Sequence, residues 1–292
     1  MKKLSHCLQY LVLRIIETVL KVLPRKLTLK LGAAIGIILF RKGIYRHVAE
    51  KNMRHTGLWS EDEIQKITRN LYINIGRYFA DFLRASSTQP PNVVHNYESI
   101  EKMFARNRGI IILLAHFGNW EILANVFGQK IRDLNVLAKP MKNVPVQDWL
   151  AGKRKKTGVE TIYVKKSLRK SLQVLKRNGM VAILVDQHVG RQGTMVPFLG
   201  KDANTLLGVG WLLEKTGCAL LPTYALLQDD GSYKILFENA DLPDTRAMDR
   251  DQVLYTYQKL HNDIISEWIK KYPDHYFGWF HKRYRDHIKY SS

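Results

Sequence analysis

Ile110-Ile111-Ile112-Leu113-Leu114-Ala115-His116-Phe117-Gly118-Asn119-Trp120-Glu121 is the stretch that decides the fold. Ile110 to Ala115 is pure hydrocarbon and reads as a buried strand. On one continuous helix, near neighbours are three and four apart, so His116 and Glu121, five apart, would point to different faces. The better reading is strand, tight turn, helix start. Gly118 permits the turn, Asn119 is a good N-cap, and Glu121 lies in the first helical turn, where the helix dipole favours a carboxylate. Ile122, Leu123, Val126 and Phe127 carry the helix on. His116 is thereby placed at the carboxyl end of a strand, where open α/β sheets keep their active sites.

A histidine fixed by a strand end, with a carboxylate to set its tautomer, is a compact general base. The structural alternative is a strand-end histidine and an unrelated first-turn acid. Spacing alone leaves the two even, and the glycine, the N-cap and the buried strand favour function.

Outward from this stretch the pattern alternates. Strands are expected at Ile110–Ala115, Leu134–Ala138, Thr161–Val164, Val181–Val185, Leu220–Leu226 and Tyr233–Glu238. Helices are expected at Asn119–Lys130, Val146–Thr157, Leu168–Arg177, Thr205–Thr216 and Gln252–Lys271. That is an α/β fold, a mostly parallel sheet flanked by helices. Residues 44–90 read as helical, with a capping box at Ser60-Glu61-Asp62-Glu63 and a break at Gln89-Pro90-Pro91. The chain has no repeats or low-complexity linkers, so the expected organisation is a membrane-associating helical segment, 1–45, and one α/β domain, 46–292.

In the N-terminal segment, Leu8 to Leu23 reads as a helix with a polar stripe of Arg14, Glu17, Thr18 and Lys21. Glu17 and Lys21 can pair at i,i+4, and Pro24 ends the helix. Leu31 to Phe40 is a second apolar run. Neither reaches the ~20 apolar residues a span needs, and a mid-bilayer charge costs roughly 2.5–3.5 kcal/mol. Arg14 and Glu17 also interrupt any signal-peptide core. The expectation is an interfacial or monotopic helix, held by apolar burial and attraction to anionic lipid.

The chain of 292 residues is 46% hydrophobic, ample for a core, and carries a formal charge of +20. The excess is clustered: residues 1–60 hold twelve Lys/Arg against Glu17 and Glu50, and residues 139–177 hold twelve against Asp148 and Glu160. Such clusters suit nucleic acid, an anionic membrane or an acidic or phosphorylated substrate. No zinc-finger, RNP or KH pattern is present, and the clusters flank apolar segments, so a membrane surface is favoured over nucleic acid. Cys7 and Cys218 form no metal spacing or disulfide framework. His188, His275, His281 and His287 lack the spacing of an HExxH zinc helix, so no metal is expected.

The His116–Glu121 stretch resembles the H-x4-D/E signature of glycerolipid acyltransferases, and more narrowly the HFGNWE form of the lipid A biosynthesis acyltransferases. Other segments are similar in order: Lys139-Pro140-Met141-Lys142-Asn143, Arg154 with Gly158, Asp186-Gln187, Pro197-Phe198-Leu199-Gly200, and His281-Lys282-Arg283-Tyr284-Arg285. Lys139 stands where an arginine is common, the terminus reads Tyr284-Arg285 for Trp-Lys, and Gly278 adds a residue before His281. These departures bear on the substrate, not the reaction class.

The resemblance implies transfer of a fatty acyl chain from acyl carrier protein to a hydroxyl of a phosphorylated lipid A precursor, at the cytoplasmic face of a bacterial inner membrane, with no cofactor beyond the thioester donor. An acidic carrier protein, a phosphorylated acceptor and an anionic leaflet all suit the charge. With no GxSxG elbow, direct attack is the expected scheme, His116 as base and Glu121 orienting it. Arg154 is the candidate oxyanion or phosphate ligand, raised above Lys153, Lys155 and Lys156 only by the resemblance. Asp186, after the strand Val181–Val185, either orders the site or caps loop amides. Gln187, Asn119 and Lys139 complete the candidate substrate contacts. The aromatic run Tyr276 to Tyr284 either lines an acyl channel or packs as a C-terminal strand. The alternatives are an acyl-CoA-dependent transferase acting on another glycolipid or phospholipid, and a non-catalytic basic membrane or nucleic-acid binding module.

Overall fold

In the computed structural model, four helices come first: α1 (Lys2–Val22), α2 (Arg25–Arg41), α3 (Arg46–Thr56) and α4 (Glu61–Arg84). Then follow β1 (Asn92–His95), β2 (Ile110–Leu114), α5 (Trp120–Val126), β3 (Leu134–Ala138), α6 (Val144–Lys155), β4 (Val159–Tyr163), α7 (Ser167–Lys176) and β5 (Met180–Leu184). The chain continues through β6 (Gly193–Phe198), β7 (Lys201–Leu206), α8 (Gly208–Thr216), β8 (Ala219–Leu227), β9 (Tyr233–Phe237) and α9 (Arg250–Lys271). The structure describes all residues except 1, 86–91, 96, 97, 99, 101, 104–107, 132, 164–166, 239, 291 and 292. Gln89-Pro90-Pro91 and Val164 therefore lie outside the described residues.

The sheet order is β1-β9-β8-β2-β5-β3-β4. Every neighbouring pair is parallel except β8 and β9. β2 lies in the middle and is buried throughout. Its residues alternate between two cores, as strand geometry requires. Ile111 and Leu113 join a core with α4 and α9. Ile110, Ile112 and Leu114 join the opposite one with Ile122, Leu123 and Val126 of α5.

Three expected elements change. Residues 205 and 206, expected to begin a helix, end strand β7, which pairs antiparallel with β6. The turn between them puts both Leu199 (φ 51) and Gly200 (φ 77) in the left-handed region, the geometry that joins two strands tightly. The helix starts only at Gly208. The helix after Asn119 is regular only to Val126 and widens into a π turn over Phe127–Ile131. Gly128 there packs so tightly that an added Cβ would meet the Thr157 carbonyl at 2.0 Å. The C-terminal aromatic run forms no strand but two 3-10 turns, Pro273–His275 and Phe277–Phe280.

The N-terminal helices are bound into this frame. The Arg25 Nε and Nη2 groups donate to the buried Asp81 carboxylate at 2.8 and 2.7 Å. α2 and α4 touch backbone to backbone, since a Cβ on Gly76 would lie 2.0 Å from the Gly32 carbonyl and one on Gly36 2.1 Å from that of Tyr72. No helix among the described residues is long and apolar enough to cross a membrane. The outer sides of α1 and α2 nevertheless expose Leu8, Leu11, Ile15, Val19, Ile35 and Ile38, each 48–60% accessible.

The α2–α4 contact predicts a contrast that denaturant unfolding can measure. Gly76→Leu must push two backbones apart and is expected to cost ~1–3 kcal/mol or more. Gly152→Ala, in a helix with open space around the new Cβ, is expected to gain ~1 kcal/mol.

Candidate active site

The register of β2 on β5 builds the centre of the site. Ile110 faces Met180 and Leu114 faces Leu184, and the same offset carried past the strand ends sets His116 against Asp186. The His116 Nδ1 lies 2.9 Å from Asp186 Oδ1, and the His116 backbone N–H donates to Oδ2 at 3.1 Å. Asp186 is 1% exposed. Burial alone would raise its carboxyl, but the charge and hydrogen bonds of His116 hold it below the ordinary aspartate value. An ionised Asp186 accepts the bond, so the proton sits on Nδ1 and Nε2 carries the lone pair.

That nitrogen accepts a long hydrogen bond, 3.4 Å, from the Gln187 side-chain NH2 group. The ring sits edge-on to Trp120, centroids 5.1 Å apart, and 6.3 Å from Phe277. The C-terminal turn pins the loop from behind: the Phe277 N–H donates to the His116 carbonyl at 2.7 Å, and the Gly118 N–H to that of His275 at 2.9 Å. Gly118 takes a positive φ (61°) in that turn, which lets its N–H reach His275.

Glu121 does not touch His116 through any hydrogen bond in the structure. It faces Arg154, whose Nε donates to Oε2 at 3.0 Å and whose Nη2 donates to Oε1. The carboxylate that bonds His116 is Asp186, not Glu121. The reason is the helix turn itself: Glu121, in the first turn of α5, points toward the last turn of α6. Arg154 is correspondingly not a free anion ligand, because two of its nitrogens are committed to a pair that is 13–14% exposed. Removing either partner would strand a charge in a poorly solvated place.

Asn119 is the N-cap that its position suggested, accepting from the Ile122 N–H at 3.2 Å. Its amide donates to the Tyr78 carbonyl and the Tyr233 hydroxyl at 3.2 and 2.8 Å. At 3% exposure its side chain is taken up by these structural bonds, at the wall of a small apolar cavity. Lys139 is exposed one residue beyond β3 and makes no ion pair among the described residues. Gln187 is exposed, and it lines an apolar cavity of about 660 Å³. Leu20, Ile35, Tyr72, Ile75 and Phe79 line this cavity together with Phe277 and His281. Phe277 and Phe280 thus act as lining, while Tyr276, Trp279 and Tyr284 are core.

Several supporting residues lie outside the candidate set, although the segment from His281 to Arg285 carries a family resemblance. Arg283, 2% exposed, donates to the carbonyls of Gln187 and Asn204 and to the Thr205 hydroxyl, so it clamps the loop after β5 onto β7. Lys153 looks like one of four surface cations, but its side chain is only 10% exposed and donates to the carbonyls of Leu83 and Ala85 at the end of α4. His281 accepts the His188 backbone N–H on Nε2 at 3.0 Å, which requires a neutral ring. Burial, with the nearby charges of His116 and Arg283, pushes its pKa down to about 4.

Two outcomes follow. Asp186→Asn keeps the shape but can donate to Nδ1 and so favours the wrong tautomer. It is expected to lower kcat for any base-catalysed turnover by ~10²–10⁴ while leaving circular dichroism unchanged. Below pH ~6.5, the unfolded chain protonates at position 281 while the folded chain does not until about pH 4. Stability therefore falls as pH drops through that window, and denaturant melts of His281→Gln should show a shallower acid slope.

The family model described as bacterial lipid A biosynthesis acyltransferase matches residues 1–286. Among individual relatives, the chain is 27% identical over 191 residues to the lipid A biosynthesis lauroyltransferase of Escherichia coli K12, covering 64% of this chain and 60% of the relative. It is 23% identical over 194 residues to the palmitoleoyltransferase of the same strain, covering 66% and 61%. It is 23% identical over 167 residues to a phosphatidylinositol mannoside acyltransferase of Mycobacterium tuberculosis, covering 53% of each. The chain thus spans between about half and six-tenths of the length of these relatives. With the match to the family model running through almost every element that builds the site, the chain belongs to the bacterial lipid A biosynthesis acyltransferase family.

Proposed function

We propose that the protein transfers a fatty acyl chain from an acyl thioester to a hydroxyl of a phosphorylated glycolipid at a membrane surface. The observation that carries this reading is the Nε2 of His116 facing Gln187, a residue that also lines the apolar cavity of about 660 Å³. Such a cavity suits a hydrocarbon chain, each buried CH₂ contributing ~0.8 kcal/mol. A base is poised where the chain's carbonyl would emerge.

In the proposed reaction His116 Nε2 takes the proton of the acceptor hydroxyl as its oxygen bonds to the thioester carbon. The tetrahedral intermediate expels the thiolate, which recovers the proton from the imidazolium. Asp186 stabilises that imidazolium, as a buried carboxylate does for a histidine base. Glu121 and Arg154 hold α5 against α6 as a neutral pair and keep the floor beside Trp120 in place. The donor we favour is an acyl carrier protein, because an acidic carrier suits a chain of net charge +20. The exposed apolar faces of α1 and α2 are the surface that would lie in the bilayer interface, consistent with a monotopic enzyme on the inner face of the bacterial inner membrane.

A lipid A precursor is the acceptor we favour, from the family. A mannosylated phosphoinositide is the second reading, since one relative bears the name phosphatidylinositol mannoside acyltransferase.

Purified protein in detergent, given labelled lipid A precursor and either acyl carrier protein or CoA thioesters, tests the proposal. Transfer is expected with the carrier-protein donor and is expected to fall by ~10²–10⁴ or more in His116→Ala. Transfer undiminished in that variant would refute the mechanism. Ile75→Trp, which fills the cavity, is expected to shift preference toward shorter chains, at ~1–3 kcal/mol per methylene excluded, and a chain-length competition reads this directly.

A further inference from the structure

Arg154, held by Glu121, leaves open which cations would meet an acidic acceptor. A second cavity answers this. It is about 450 Å³ in volume, lies between α1 and α6, and is lined by Tyr10, Arg14, Lys21, Lys153 and Lys156, with Glu17 and Trp149. Glu17 is buried at 4% exposure. It accepts from Trp149 Nε1 at 3.0 Å and pairs with Lys21 at 2.8 Å, Arg14 at 3.2 Å and Lys153 at 3.4 Å. Three cations thus surround one carboxylate. Lys153 is spent on backbone carbonyls, but Arg14 and Lys21 remain 48% and 40% exposed at their side chains. Lys156 is exposed and makes no ion pair among the described residues. Glu17 therefore organises the cations on one flank of α1 without neutralising them. A doubly charged oxyanion with several acceptor oxygens is the ligand such a fork suits.

Two neighbours specify what bears that anion. α1 exposes Leu11, Val12, Ile15 and Ile16 beside the basin, which sets the cations at the depth of lipid phosphates if that face meets a bilayer. Trp149 is shared with a third cavity of about 260 Å³, apolar and lined by Leu13, Phe82, Met141, Val146 and Leu150, which reaches Glu121. A basic basin and a hydrocarbon slot meeting at one tryptophan, with the slot opening toward the active-site helix, match an amphiphile with a phosphate and a chain. The cavity beside His116 and Gln187 is separate and is divided from the slot by Phe79 and Leu83, which line both.

We infer that Arg14, Lys21 and Lys156 bind a phosphate of the acceptor lipid, and that the slot beside Trp149 takes an acyl chain the acceptor already carries. The acceptor assignment rests on the acyltransfer reading above, while the phosphate site itself does not. The full chain in neutral detergent would be titrated calorimetrically with dihexanoyl phosphatidic acid, with inorganic phosphate and with dihexanoyl phosphatidylcholine. Saturable binding of phosphatidic acid is expected, about tenfold or more tighter than either of the others, and weakened by about tenfold or more in Lys156→Glu and in Arg14→Gln. Lys26→Gln/Lys30→Gln removes two exposed charges from α2 and should leave binding within twofold. Equal loss in that control would reduce the effect to the general field, and no loss in Lys156→Glu would remove the site. Inorganic phosphate bound as tightly as the lipid would overturn the lipid assignment. In the transfer assay, Lys156→Glu should raise the acceptor KM rather than lower kcat. An assay in which the parent protein transfers nothing would sink the acyltransfer reading while the titration still decides the phosphate site.

Discussion

One hydrogen bond, from the His116 imidazole to a fully desolvated Asp186 carboxylate, depends on the parallel register of two central strands and in turn fixes the site. The offset that sets Leu114 on Leu184 sets His116 on Asp186. Moving either strand by one residue would turn every side chain to the other face, so the two buried cores hold the dyad in alignment. The C-terminal turn closes the arrangement by donating to the His116 carbonyl, and Arg283 fixes the loop that carries Gln187. A base oriented this way has its proton inventory settled before any substrate arrives.

A chain with so large a positive excess could be expected to place its few carboxylates at the surface. Several instead lie inside, each against a cation: Asp81 with Arg25, Glu17 with Lys21 and Lys153, Glu121 with Arg154. All but the Glu17–Lys21 pair join separate elements. Asp81 ties α2 to α4, Glu17 ties α1 to α6, and Glu121 ties α5 to α6. Buried ion pairs contribute little net stability against an apolar alternative, but losing one partner is costly, so they specify which helices meet. Excess cations are left on the outside, among them Arg14, Lys21 and Lys156 around the basin beside α1.

Much of the scaffold was legible because it rests on local chemistry. The hydrocarbon run Ile110 to Ala115, the Asn119 cap, the Ser60–Glu63 box and the Glu17–Lys21 pair all follow from residues a few positions apart, and all appear. What failed depends on partners far along the chain. Glu121 was assigned to His116 because it is near in sequence, but its partner lies on α6. Asp186 was visible as a strand-end carboxylate, yet only the strand order, with β5 beside β2, reveals that it faces His116. Lys153 carries no mark distinguishing it from Lys155 or Lys156, and only tertiary packing covers its side chain. The β6–β7 hairpin was missed because Gly193–Phe198 and Lys201–Leu206 do not alternate cleanly between apolar and polar residues, and the turn puts Leu199 at a positive φ.

The central claim is that Asp186 holds the proton of His116 on Nδ1. Nitrogen-15 NMR of histidine-labelled protein, with His116 assigned by its disappearance in His116→Gln, tests it most directly. The account predicts a neutral ring at high pH with the proton on Nδ1, and redistribution of that tautomer in Asp186→Asn. A proton on Nε2 in the parent protein, or a tautomer indifferent to the Asp186 substitution, would contradict it.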